Sequence, residues 1–135
     1  MNKPAAPHSF EVRVYYEDTD LAGIVYYANY LKYIERARTE WVRDLGIDQT
    51  ALKHDAGLVF VVRRLEADYL APARFDDVLA VTTRTVEATP ARLVLAQEVL
   101  RAGSLLFHAR VTLVALGPEG RPARLPAELR ANLGP

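Results

Sequence analysis

Apolar and polar side chains alternate from Phe10 through Glu11, Val12, Arg13 and Val14. A period of two predicts a half-buried strand over residues 10–16, with Phe10, Val12 and Val14 on one face. The stretch EDTDLAG (17–23) breaks that alternation, and its acidic residues and Gly23 predict a turn. From 28 to 45 the spacing becomes three and four. Tyr30, Ile34, Ala37, Trp41 and Leu45 form one stripe, and charged residues fill much of the remaining surface. That is the pattern of an amphipathic helix. Asn29 suits its N-cap and Gly46 its C-terminal stop. A short second helix is expected over 49–55. Beyond Gly57 the chain reads as strands over 58–69, 78–87, 92–101 and 104–116. The turn signals LAPARFDD, ATPA, Ala102-Gly103 and GPEGRP separate and bound them. Such close spacing implies an antiparallel meander. The tail from Arg124 has room for one helical turn.

The order is strand, long helix, then four long strands. One helix cannot cover both faces of such a sheet, so the sheet is expected to wrap the helix in an α+β arrangement. Long sheet edges and an open sheet face remain, and they call for self-association, with a dimer of dimers as the expected homo-oligomer. A length of 135 residues fits one domain spanning 1–135, with 1–8 as a loose tail.

Composition narrows the chemistry. Seventeen basic residues balance seventeen acidic ones. No charge excess points to nucleic acid or to an anionic membrane as partner. There is no apolar stretch of the ~20 residues a membrane helix needs, nor an apolar leader, so a cytoplasmic protein is expected. Cysteine is absent, which removes thiolate nucleophiles, disulfides and cysteine metal sites. Ser9 and Ser104 lie outside any nucleophile elbow, and His8, His54 and His108 have no metal-ligand spacing. No phosphate-binding or dinucleotide glycine pattern occurs. Metal, phosphate-loop and serine-triad mechanisms are thereby disfavoured, and carboxylate chemistry is what remains.

Carboxylates concentrate at Glu17, Asp18 and Asp20, just before the long helix. Unpaired N–H groups at a helix start carry partial positive charge and can stabilise an oxyanion. A carboxylate a few residues upstream can face the same point, which would make an acyl-transfer site. Acidic residues before a helix are equally common as caps and turn formers.

The stretch VRVYYEDTDLAGIVYYANYLKYIERARTEWVRDLG (12–46) resembles the signature of the 4-hydroxybenzoyl-CoA thioesterase family. It is most similar to the Tol–Pal-associated, YbgC-type acyl-CoA thioesterases, and FVVRRLEADYLAPARFDDVL (60–79) is similar to their second characteristic segment. The likeness extends over about residues 10–130. It implies the hotdog fold, a long central helix wrapped by an antiparallel sheet, and hydrolysis of an acyl thioester of coenzyme A to acid and CoA, with no metal or other cofactor. In the family pattern D-x-x-G-[IV]-V the aspartate is catalytic, which places that role on Asp20. The oxyanion donor, an amide at the helix start, falls on the Tyr27 N–H. YbgC-type sequences usually carry histidine where this chain has Tyr27, whereas the hydroxybenzoyl type carries an aromatic residue. Phosphates of coenzyme A need arginines. Arg63, Arg64, Arg74, Arg84 and Arg92 are candidates, with Arg92, after the ATPA turn, as the coenzyme residue. Glu35, off the apolar stripe, reads as part of a surface network with Arg36 or Arg38. The other functions carried forward are a hotdog dehydratase or hydratase and a non-catalytic acyl-CoA-binding module. The first usually needs a histidine, and 10–46 has none. The second gains nothing from Asp20.

Overall fold

The computed structural model describes residues 6–134. Residues 1–5 of the expected tail lie outside that range. Strand β1 (His8–Arg13) starts two residues before the expected strand, because His8 Nε2 meets the Asp44 carboxylate at 2.7 Å. A 3₁₀ turn (Tyr16–Asp18) and a loop lead to helix α1 (Asn29–Asp44). The short helix α2 (Gln49–Ala51) runs into a π-helical turn over Leu52–Ala56. Then come β2 (Val59–Tyr69), β3 (Val78–Ala88), β4 (Leu93–Arg101), β5 (Ser104–Leu116), the two-residue β6 (Pro122–Ala123) and helix α3 (Ala127–Leu133).

The strands form one antiparallel sheet in the order β1-β3-β4-β5-β2, with β6 beside β5. Only β3-β4-β5 is a meander. The departure lies in β2, which pairs with β5 and not with its sequence neighbour β3. The eight residues 70–77 that join β2 to β3 are long enough to carry the chain past the start of α1 to the other side of the sheet. Residues that alternate inward on the strands meet the stripe of α1. Val12, Val14, Leu79, Val81, Leu95, Val99, Phe107 and Val111 are buried with Tyr30, Tyr33, Ile34, Ala37 and Trp41. Tyr33 therefore joins the apolar stripe, whereas Leu45, at its end, is exposed. This is the α+β, helix-in-sheet architecture that the element order implied.

Beneath α1 the core holds one polar network. The buried Gln97 amide donates to the Ile34 carbonyl and to the Thr83 hydroxyl, both at 2.9 Å, and its oxygen accepts from Arg38 Nη1 at 3.0 Å. Every polar atom of Gln97 is thereby engaged, as a buried amide requires. The outer edge strand β2 is exposed through its middle, Val62 to Glu66, and Val62 and Leu65 present side chains to solvent. No helix among the described residues is long and apolar enough to cross a membrane.

Candidate active site

The loop between β1 and α1 is a small hairpin built on Asp20. The Asp20 N–H donates to the Ile24 carbonyl, the Gly23 N–H donates to the Asp20 carbonyl, and Thr19 bridges Val25. Gly23 sits at φ +80°, the left-handed region that a side chain would strain. One carboxylate oxygen of Asp20 accepts the Ala22 N–H at 2.9 Å. The other has no partner among the described residues, and the residue is exposed. Asp20 thus holds one fixed and one free oxygen.

Two ties fasten this loop to its surroundings. The Val25 N–H donates to the Ala73 carbonyl and Ile24 bridges Arg74, which joins it to the 70–77 connection. The Asp18 carbonyl accepts both the Tyr26 N–H and the Asn29 Nδ2–H at 2.9 Å, which joins it to the start of α1. Asn29 is therefore not the N-cap. Ala28 occupies that position, with no side-chain oxygen to take up the first amides. Among the described residues the N–H groups of Tyr27 and Ala28 have no acceptor. Their directions are set by the opposite ends of their peptides. The Tyr26 carbonyl accepts the Asn29 N–H at 2.8 Å and the Tyr27 carbonyl accepts the Tyr69 hydroxyl at 2.9 Å. In a planar trans peptide the N–H points away from the preceding carbonyl, so both amides face outward from the helix start. A helix start left uncapped in this way is an anion-stabilising site.

Asp20 and the tyrosines share this region. The neighbouring Tyr27 phenol, and to a lesser degree the Asp20 carboxylate, raise the Tyr26 phenol above its ordinary value. Tyr26 and Tyr27 are exposed, and their rings begin an aromatic series that runs through Tyr69 and Tyr30 to the buried Phe107. Tyr30 gives its hydroxyl oxygen to the Ala73 N–H at 3.0 Å, a second link from α1 to the 70–77 connection. The Tyr33 hydroxyl is buried and faces the Asp18 carboxylate without completing a hydrogen bond to it. Burial first, and Asp18 second, push that phenol well above its ordinary value. Sequence pattern alone gave Asn29 the wrong polar role and missed Tyr30, Tyr33 and Tyr69 as polar participants. The available signal was that a core tyrosine needs a partner for its hydroxyl.

Of the other candidates, Arg74 lies beside the Asp20 loop, where its backbone bridges Ile24, and the side chains that follow are engaged elsewhere or exposed. Asp18 Oδ2 accepts the Tyr15 N–H at 2.8 Å, so this carboxylate closes the 3₁₀ turn. Glu17 is exposed. Glu35 accepts the Thr39 hydroxyl at 2.9 Å, and no ion pair joins it to Arg36 or Arg38 among the described residues. Arg64 pairs with Glu66 at 3.1 Å. Arg92 lies across the β3–β4 turn from Glu87, with its guanidinium 3.3 Å from that carboxylate. Arg92 stands at the end of β3 opposite Val78, and the strand spans about 30 Å at ~3.3 Å per residue. Within one chain it does not approach Asp20.

The 70–77 connection is braced by Asp77. Its carboxylate accepts the Arg74 N–H at 2.8 Å and pairs with Arg101 Nη1 at 2.7 Å. Partial burial pushes the Asp77 carboxyl upward, but the Arg74 amide and the Arg101 guanidinium outweigh it and hold the group below the usual carboxylate value. A depressed folded value stabilises the fold above the unfolded value of about 4, and that contribution is lost as pH falls through the folded value. Thermal melts of Asp77→Asn should accordingly lie below wild type at pH 7. The gap should shrink as pH falls below about 4, and a gap that is constant with pH would contradict this assignment.

The family model of the thioesterase-like superfamily matches residues 14–133. The acyl-CoA thioesterase YbgC of Haemophilus influenzae is 43% identical over 125 residues, covering 91% of each chain. This chain belongs to the YbgC-type thioesterase family. The acyl-CoA thioester hydrolase YbgC of Escherichia coli O6:H1 is 42% identical, over 90% of this chain and 91% of its own. Among solved structures, a "Probable Thioesterase" from Bartonella henselae superposes with a TM-score of 0.85 at 40% identity, over 90% of this chain and all of its own. The hotdog fold of the thioesterases is thereby shown for this family member, and it is an enzyme of the thioester hydrolase class.

Proposed function

We propose that this enzyme hydrolyses an acyl thioester of coenzyme A to the free acid and CoA, with Asp20 performing the chemical step and the Tyr27 N–H receiving the oxyanion. One observation carries the reading. A carboxylate with a free oxygen is tied, through the Asp18 carbonyl, to a helix start whose outward N–H groups have no acceptor among the described residues. In one route the free oxygen of Asp20 attacks the thioester carbonyl carbon, the C–S bond breaks, CoA leaves as thiolate, and water then hydrolyses the mixed anhydride. In the other, Asp20 takes a proton from a water that attacks the same carbon, and the proton passes to the departing sulfur. In both, negative charge builds on the carbonyl oxygen at the helix start, where fixed amide dipoles stabilise it. Tyr27 supplies its backbone amide, so tyrosine serves there as well as histidine.

The reading includes a site between subunits in a cytoplasmic homo-oligomer, a dimer of dimers. It is supported by the long exposed edge of β2 and by the distance that separates Arg92 from Asp20 within one chain. Arg92 then meets the phosphates of a coenzyme whose thioester lies in another subunit's site. A thiol-release assay over acetyl-, hexanoyl-, palmitoyl- and benzoyl-CoA tests the function, and at least one should turn over. The absence of turnover with all four would favour a binding module. In the same assay Arg92→Ala should raise KM and leave kcat nearly unchanged, as loss of uniform binding does. A normal KM would remove Arg92 from the coenzyme site.

A further inference from the structure

Two buried side-chain polar atoms lack a hydrogen-bond partner among the described residues, His8 Nδ1 and the Tyr33 hydroxyl. His8 meets Asp44, at the opposite end of α1 from the Asp20 loop. Tyr33 lies one turn into α1. Its side chain is fully buried, and its hydroxyl faces the half-buried Asp18 carboxylate, with Tyr30 and Arg36 the other titratable neighbours. Burial first, and that carboxylate second, keep the phenol protonated, so it stands as a hydrogen-bond donor.

Asp18 is the point at which the Asp20 loop is fastened. Its Oδ2 takes the Tyr15 N–H at 2.8 Å, and its carbonyl takes the Tyr26 N–H and the Asn29 Nδ2–H. The other carboxylate oxygen has no partner among the described residues. Asn29 and Tyr33 are four apart on α1 and so share a face. Asn29 completes its bond to Asp18, whereas Tyr33, a turn later, does not. A donor without an acceptor thus faces an acceptor without a donor.

An unpaired buried hydroxyl costs stability, and a catalytic use is one of the few reasons to keep one. We propose that Tyr33 is a positioning residue for the reaction, and that its hydroxyl donates to the free Asp18 oxygen as the site closes on the tetrahedral intermediate. The proposal rests on Asp20 and the Tyr27 amide as the reacting pair. The bond ties the residue two before Asp20 to the body of α1. The carboxylate and the oxyanion-binding amide then keep one geometry while charge builds. A bond absent from the free enzyme and present at the transition state lowers the barrier and leaves the resting protein no more stable.

Tyr33→Phe keeps the ring and removes the hydroxyl. With whichever of the four thioesters turns over fastest, kcat should fall about tenfold or more, the range for losing a hydrogen bond to a charged group. KM should change little. The variant should melt no lower than wild type, because the free enzyme loses no bond. A hydroxyl that served the core alone would give the reverse, a lower Tm with normal kcat. Asp18→Ala leaves the hydroxyl nothing to meet, so on that background Tyr33→Phe should change kcat no further. Should Asp18→Ala misfold, the single variant decides. The proposal fails if Tyr33→Phe turns over as wild type does, if KM alone moves, or if Tm falls. It fails too if the effects of the two substitutions on kcat multiply in full. Asp20→Asn separates the proposal from the mechanism it rests on. Near-normal turnover by Asp20→Asn overturns both, whereas an inactive Asp20→Asn beside a normal Tyr33→Phe overturns the role of Tyr33 alone.

Discussion

Asp20→Asn should lower kcat by at least about a hundredfold and leave the fold intact, because it keeps the shape of the side chain and removes its charge. Loss of a positioned acid–base group costs at least that much. The fold should tolerate the change. Asp20 is exposed, and the one hydrogen bond of its side chain among the described residues, from the Ala22 N–H, is equally available to an asparagine oxygen. KM should change little if Asp20 acts only as the transition state forms. Tyr27→Phe supplies the contrast. It retains the backbone amide and removes an exposed hydroxyl, so it should cost far less in kcat. Near-normal turnover by Asp20→Asn, or equal damage from both substitutions, would make the mechanism untenable. Single turnover in ¹⁸O-water tests the first route. Protein oxygen in the first acid released shows attack by Asp20, with water then opening the mixed anhydride at the Asp20 carbon, whereas direct attack by water puts only solvent oxygen into it.

The elements of this fold were legible because their periods differ. A repeat of three and four over 30–41 and alternation on the strands each select a backbone, and β5 occupies the residues that alternation assigned to it. The position of β2 was not legible. Pattern marks which face of a strand is buried but not which neighbour it pairs with, and β2 has an apolar partner available in β5 as well as in β3. The site divides in the same way. Asp20 and the helix start were marked by a long, specific motif. The use of Asn29 was hidden, since asparagine beside a helix start serves as a cap or as a side-chain donor with equal ease. Its amide reaches back to Asp18, and the cap falls to Ala28, which cannot fill it. The Tyr27 amide precedes that cap position and has no acceptor among the described residues, and the proposed mechanism is what would use it. Arg92 was marked by its charge and by the ATPA turn before it, whereas its contact with Glu87 on the other side of that turn depends on side-chain conformations that the pattern does not encode.

Phe107→Ala should be the most damaging core substitution near the site. Phe107 is fully buried on β5. Its ring stacks on Tyr30 at 5.0 Å with planes 17° apart, and it meets the edge of Tyr69 at 5.0 Å. Truncation removes buried aromatic area and leaves a cavity, at a cost of about 3–5 kcal/mol. Against a total stability of about 5–15 kcal/mol, that is a drop in Tm on the order of 10–20 °C. The effect should reach catalysis too, because both rings that lose their support carry polar ties. Tyr30 holds the Ala73 N–H, and Ala73 in turn holds Val25 of the Asp20 loop. Tyr69 holds the Tyr27 carbonyl, which sets the direction of the Ala28 amide. Phe107→Ala should thus lose kcat even at temperatures where it is fully folded. Phe107→Leu, which refills most of the space, should recover much of the stability and part of the rate. The comparison is made by thermal melts and by kcat well below the lower Tm. A variant that melts early but turns over normally when cold would show that the aromatic series supports the core alone and does not orient the helix start.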